Sequence, residues 1–284
     1  MIKKIFEYSL KPYNIIFPFP LLPMIAGAFA GGINGLWKPV AFTFLFYPAN
    51  NLWNHINDAE DDFKGGKNTP FINYVARRLG YVIVSILYLI STVFVLFLSK
   101  NRVAFFLFLL VLVVTFLYSD RTITGLRLKK HYLTEFLVYL IAVPSYIVLM
   151  YALVKNLDLN AMKIAVLFTP LMLSTLFLKD LKDISSDTEA GLKTFGVVFY
   201  YKTLIKVFYV FLLIYFLIGI IFFYMSTMLL AFIPVVGVVY SVFKMVVNDW
   251  NVTKATQKYI QYSIISGLSS LATMLIILIF LSLS

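Results

Sequence analysis

The sequence contains no cysteine. Disulfides and thiolate metal centres are therefore excluded. Histidine is nearly absent too, with two in 284 residues. Charge is scarce: Asp, Glu, Lys and Arg make up 13% of the chain, where a soluble domain carries about a quarter. No small-residue cleavage site follows the opening MIKKIFEYSLKPYN, so no removable signal peptide is expected. What fills the space is apolar: 61% of residues are hydrophobic. A length of 284 residues would suggest two soluble domains, but this composition points instead to one polytopic membrane bundle spanning 1–284. The formal charge of +11 then bears on membrane sidedness rather than on nucleic acid, and no nucleic-acid partner is expected.

About 20 apolar residues cross a bilayer as a helix. Nine such segments are predicted, at roughly 13–34, 37–53, 80–99, 103–119, 132–154, 161–178, 203–225, 227–248 and 259–282. The first contains Pro18, Pro20 and Pro23, so a bend is expected there. Of the 24 basic residues, all but Lys38, Lys100, Arg102, Lys155 and Lys163 fall at the N-terminus and in the loops after segments two, four, six and eight. The positive-inside rule places that set, and the N-terminus, in the cytoplasm and the C-terminus outside. The expected class is all-α: about nine transmembrane helices, multi-pass in the cell membrane.

The acids share that side, with Asp158 the exception among 13. Two clusters stand out: Asp58, Glu60, Asp61 and Asp62 after segment two, and Asp180, Asp183, Asp187 and Glu189 after segment six. Four residues turn an α-helix by about 400°, so Asn54, Asp58 and Asp62 share one helical face. Asp180, Asp183 and Asp187, spaced i, i+3 and i+7, share another. An acidic row at a helix end is often a solvated face; two rows on one membrane side argue for a shared site. Facing carboxylates repel unless a cation lies between them. Hard oxygen donors suit Mg²⁺, which keeps several waters and is completed by phosphate oxygens. A diphosphate clamped through Mg²⁺ follows, and such a clamp stabilises charge on a departing diphosphate. Glu60, Asp61 and Glu189 lie off these lines and are expected to be solvated surface; His55 and His131 are expected to be bystanders.

At these residues the chain resembles the UbiA superfamily of intramembrane prenyltransferases. NHINDAEDD matches its N/D-x-x-x-D-x-x-x-D motif after the second span, DLKDISSD its second aspartate motif after the sixth, and the following TEAGLKT its G-x-K-[ST] continuation. LKPYNIIFPFPLLPMIAG is similar to the family's entry segment. Two departures stand out: an Arg-Pro pair expected after the first motif is absent, and the loop YSDRTITGLRLKKHY lacks the usual Pro-Pro between Tyr-Ser and the basic end.

The resemblance implies a central cavity, Mg²⁺ held by Asp58, Asp62, Asp183 and Asp187 with Asp180 joining them, and Asn54 at the same cluster. It implies a polyprenyl diphosphate and a lipophilic acceptor as partners, within membrane lipid and with the site open to the cytoplasm. The acceptor would be an ether-lipid precursor such as geranylgeranylglyceryl phosphate or an aromatic quinone precursor; a carotenoid end or a porphyrin is also compatible with the family. Ionisation of the allylic C–O bond would precede attack by that acceptor. Tyr118, Arg127 and Lys129, and Lys67 in GGKNTP, are the expected diphosphate contacts. Some of the 28 Phe and 19 Tyr would line a tunnel for the prenyl tail.

The rival reading is an ion-coupled transporter. That requires acids within spans, whereas here they cluster at span ends and only Glu135 stands near the start of one. A phosphatidyl-alcohol transferase would need a D-x-x-D-G-x-x-A-R block, and none occurs.

Overall fold

In the computed structural model, residues 2–10, 20–66, 68–182 and 184–284 are described. The start of the first expected span, Lys67 and Asp183 lie outside them. Among the described residues the fold is helical, without a β-strand. Six helices are long and apolar enough to cross a membrane: Tyr74–Leu98, Tyr132–Ala152, Leu159–Leu181, Tyr201–Phe223, Thr227–Val247 and Gln257–Leu283. Leu21–Gly35 and Val103–Ser119 are shorter apolar helices. The remaining long helix, Trp37–Lys64, runs 28 residues without interruption, about 42 Å at 1.5 Å per residue. Its first half is apolar and its second half holds the first acidic cluster, so the chain continues helically past the expected span end at residue 53, as the i, i+4, i+8 reading requires.

Side chains sort by environment. Phe97, Phe106 and Phe280 are 80%, 68% and 69% exposed on the outside of the bundle. That is costly in water and ordinary against lipid. Inside, Phe42, Phe108, Phe168, Phe208, Tyr215 and Phe216 are fully buried. Phe42 stacks on Phe46 at a centroid distance of 5.3 Å and meets Phe108 edge-on at 5.9 Å. Pro48, Pro144 and Pro170 sit inside helices, which neighbouring helices tolerate in such bundles. Asn73 caps the Tyr74–Leu98 helix by accepting from the Val75 and Ala76 amides at 2.9 and 3.2 Å.

The two ends of the bundle differ. At one, Lys38 Nζ donates to the Leu98 and Leu153 carbonyls at 2.5 and 3.3 Å, satisfying two helix C-termini. There the Ile33 amide donates to Ser282 Oγ at 3.2 Å, so the first apolar helix meets the last. The opposite end gathers both acidic clusters. A short N-terminal helix, Ile2–Ser9, lies along Trp37–Lys64; Asn51 Nδ2 donates to the Tyr8 and Ser9 carbonyls at 2.6 and 3.1 Å.

Candidate active site

One cavity of about 140 Å³ lies between the two acidic clusters. Asp58, Asp61 and Asp62 line it from the Trp37–Lys64 helix; Lys179 and Asp180 line it from Leu159–Lys182, and Asp187 from the short helix Ile184–Glu189. Arg127, Lys129, Glu135 and Thr194 complete its polar wall. Residues more than a hundred positions apart therefore face one space.

The cations arrive on a loop whose shape the sequence encodes through Asp120. This buried carboxylate accepts from the Thr122, Ile123 and Thr124 amides at 3.1, 3.0 and 2.6 Å and from Thr124 Oγ1 at 2.7 Å. Burial alone would push its carboxyl up, but these donors outweigh it and hold it below the usual carboxylate range. Gly125 turns the chain at φ 69°, and Arg127 follows at φ 44°, a left-handed backbone that is unfavourable for a side chain with a Cβ. The Arg127 amide returns to the Asp120 carbonyl at 3.1 Å. An Asx-type turn thus shapes the stretch that lacks a Pro-Pro pair. Asn57 anchors its start, with Oδ1 accepting from the Arg121 amide at 3.0 Å.

Arg127 is 4% exposed and donates from Nη2 to Asp58 Oδ1 at 2.9 Å; it also pairs with Asp61, and Lys129 pairs with Asp58 Oδ2. Burial would raise the Asp58 carboxyl, but Lys129 and Arg127 together hold it below the ordinary range. For Lys129, burial dominates and pulls the ammonium down despite Asp58.

A second strap holds the other acids. Gly191 ends the short helix at φ 68°. The Leu192 amide donates to the Asp187 carbonyl at 2.9 Å, Thr194 Oγ1 to Asp187 Oδ2 at 2.8 Å, and the Phe195 amide to Asp180 Oδ2 at 3.0 Å. The backbone of Lys193 pairs with Lys130 and Tyr132, each at 2.8 Å, fastening this strap to the cation loop.

The expected residues sort as follows. Asp58, Asp62, Asp180, Asp187, Arg127 and Lys129 meet in the cavity. Asn54 is half-buried and is not part of its lining. Tyr118 stands behind the lining, its hydroxyl donating to Glu135 Oε1 at 2.6 Å and accepting from Lys179 Nζ at 2.8 Å. Asp183 and Lys67 lie outside the described residues. One expectation is overturned: Asp61 is not solvated surface but 15% exposed, held by Arg121 at 3.2 Å and by Arg127. The reason is geometric, since i+3 lies as close to a helical neighbour as i+4. Glu60, 44% exposed and paired with Arg121 at 2.8 Å, and the exposed Glu189 are surface residues as expected. His55 packs edge-on against Tyr8 at 4.9 Å, and neither histidine lines the cavity.

Sequence reasoning missed Lys179 and Glu135. Lys179 adjoins Asp180 in sequence; Glu135 is an acid in the first turn of an apolar helix. Either could have been found as a charge that an apolar segment would otherwise exclude.

Among the described residues no three His, Cys, Asp or Glu side chains are grouped to hold a metal by themselves. The donor set nevertheless suits Mg²⁺. Every acid lining the cavity offers carboxylate oxygen, and Mg²⁺ characteristically takes one or two carboxylates and completes its shell with water and phosphate.

The sequence profile of the UbiA prenyltransferase family matches residues 19–271. An uncharacterised protein of Archaeoglobus fulgidus is 36% identical over 214 residues, covering 72% of this chain and 73% of that protein. Among solved structures, a digeranylgeranylglyceryl phosphate synthase superposes with a TM-score of 0.71 at 15% identity, over 98% of each chain. A UbiA homologue from Archaeoglobus fulgidus bound to DMAPP and Mg²⁺ superposes at 0.64 and 14% identity, over 95% of this chain and 99% of that one. A UbiA homologue from Archaeoglobus fulgidus bound to GPP and Mg²⁺ gives 0.60 at 15% identity, over 97% of this chain and 99% of that one.

Proposed function

The chain belongs to the UbiA prenyltransferase family, and we propose that it transfers a polyprenyl group from a polyprenyl diphosphate to a lipophilic acceptor in the membrane, releasing diphosphate. The observation that carries this reading is the single cavity in which Asp58 and Asp62 face Asp180 and Asp187, with Arg127, Lys129 and Lys179 among them. A diphosphate needs fixed positive charge and metal-bridging carboxylates, and this wall offers both. The Mg²⁺ and the short prenyl diphosphates on the structural neighbours support the same chemistry.

In this reading Asp58, Asp62, Asp180, Asp183 and Asp187 hold Mg²⁺, which when bound supplies Lewis-acid stabilisation of the departing diphosphate. Arg127 and Lys129 exchange Asp58 for phosphate oxygens. Asn54, Tyr118 and Lys67 support the head group from behind or beside the cavity. The prenyl C1–O bond breaks with its electron pair going to the diphosphate, and the acceptor attacks C1. All nine apolar segments cross the membrane, with the N-terminus and the cavity on the cytoplasmic side. Membrane lipid surrounds the exposed apolar face. An ether-lipid precursor such as geranylgeranylglyceryl phosphate is the favoured acceptor, supported by the fold shared with the digeranylgeranylglyceryl phosphate synthase; an aromatic quinone precursor is the second. Transport is disfavoured, because the acids converge on a cation-lined cavity at the helix ends.

The test is direct. Purified protein in lipid nanodiscs is given Mg²⁺, labelled geranylgeranyl diphosphate and a panel of acceptors. Prenyl transfer is expected, abolished by chelation and restored by Mg²⁺. Asp62→Ala and Asp187→Ala are each expected to drop turnover below detection while the protein stays folded. Full activity in either variant would remove the two-row clamp.

A further inference from the structure

Glu135 is left unexplained by the metal rows and the diphosphate cations. It is 1% exposed yet lines the cavity. Its Oε1 is fully engaged, accepting from Tyr118 Oη at 2.6 Å and Lys179 Nζ at 2.8 Å. Tyr118 also accepts from Lys179 at 2.8 Å, closing a three-membered network. Its Oε2 is buried without a hydrogen-bond partner. A buried carboxylate oxygen in that state is unfavourable unless a donor reaches it. Lys129 is committed to Asp58, and Arg127 to Asp58 and Asp61 through Nη2. Arg127 Nε has no partner, yet neither it nor any other donor among the described residues is within hydrogen-bond distance of Glu135 Oε2. Oε2 is thus open to a donor that a ligand brings into the cavity. A prenyl diphosphate presents only accepting oxygens, and an apolar tail presents nothing. Of the two organic substrates, only the acceptor carries an O–H, and water is the competing donor against which the experiment below measures it.

Resting on the prenyl-transfer reading above, we propose that Glu135 Oε2 receives the hydroxyl of the prenyl acceptor, orienting it and taking its proton as the new bond forms. The acceptor oxygen bonds to prenyl C1. The C1–O bond to the diphosphate breaks, with its pair leaving on the diphosphate. The acceptor O–H breaks, its pair stays on oxygen, and the proton goes to Oε2, to be returned to water when the products leave. Tyr118 and Lys179 are positioning residues here: they fix Oε1 and so aim the second oxygen. The substrate class this assigns is a hydroxyl-bearing lipid that attacks through oxygen.

The experiment reads a ratio, which does not depend on how much protein folds. With Mg²⁺, geranylgeranyl diphosphate and geranylgeranylglyceryl phosphate, the ionised prenyl group is captured either by the acceptor or by water, giving ether product or prenyl alcohol. Glu135→Gln keeps the shape but takes no proton. Its product-to-alcohol ratio is expected to fall at least tenfold, with a raised KM for the acceptor, and Glu135→Asp to recover part of the ratio. An unchanged ratio in Glu135→Gln, whatever the total turnover, would make Glu135 a mere counter-charge for Lys179 and overturn the assignment. So would a wild-type enzyme that cleaves the diphosphate but transfers nothing to a hydroxyl acceptor. A wild type that cleaves no diphosphate fails earlier, at the prenyl-transfer reading itself.

Discussion

Arg127 concentrates several requirements in one side chain. It is buried, has a left-handed backbone and reaches two carboxylates, Asp58 and Asp61. A guanidinium spans two partners where an ammonium is a single point charge. Arg127→Lys is therefore expected to lower kcat/KM by about tenfold, the equivalent of roughly 1.4 kcal/mol, with protein still folded by circular dichroism. Asp61→Ala leaves Arg127 and Arg121 short of a partner, and a comparable loss is expected; a silent Asp61→Ala would show that its contact with the site is incidental. Asp58 binds its proton more weakly folded than unfolded. Its ion pairs therefore stabilise the fold fully above the unfolded aspartate value of about 3.9, and that contribution disappears as pH falls through the depressed native value. Thermal unfolding of wild type against Asp58→Asn should show a gap at pH 6 that narrows as the pH is lowered below 4. At this scale the first row, Asp58 and Asp62, was legible because one helix aligns it by spacing alone. Asp180 and Asp187 stand on two successive helices, Leu159–Lys182 and Ile184–Glu189, so their meeting does not follow from the spacing i, i+7 on one helix. Asp61, Glu135 and Lys179 were not legible, because their partners Arg127, Arg121 and Tyr118 reach them through tertiary contact.

Two short segments do most of the positioning at the scale of elements. The loop from Asp120 to Lys130 is wound around one carboxylate, and the strap from Gly191 to Phe195 fastens the second acidic cluster; the two are joined through Lys130, Tyr132 and Lys193. The strap packs closely: a Cβ on Gly196 would fall 2.4 Å from the Asp180 carbonyl oxygen. Gly196→Ala is thus expected to displace Asp180 and depress turnover more than it lowers the melting temperature. Thr194 touches Asp187 without lining up as a metal donor of its own. Partners of this kind, when removed, lower metal affinity or activity by about 10–100-fold. Thr194→Val is expected to raise the Mg²⁺ concentration for half-maximal activity by about tenfold, measured by titrating Mg²⁺ at saturating prenyl diphosphate. The G-x-K-[ST] pattern was visible in the sequence, but its task was not: Gly191 supplies the turn and Thr194 the hydrogen bond. The loop's missing prolines gave no hint that Asp120 shapes the same stretch by accepting amides.

For the whole molecule, the helical segments were legible in the sequence. Apolar runs and loop charge located every long helix, because lipid demands continuous apolar length. The joint FYMSTML was the least distinct, and there the structure ends one helix at Phe223 and resumes with a 3₁₀ turn over Thr227–Phe232. The topology can be tested cleanly because the chain has no native thiol. Ser284→Cys in intact cells is expected to react with a membrane-impermeant maleimide; protection would place that terminus in the cytoplasm and revise the crossing count.

The contact of Ile33 with Ser282 spans 249 residues of sequence. It joins the earliest apolar helix to the latest. During synthesis the flank of Leu21–Gly35 that meets Gln257–Leu283 therefore stays uncovered until that helix has been made. A chain stopped before Gln257 would leave that flank without the helix that meets it.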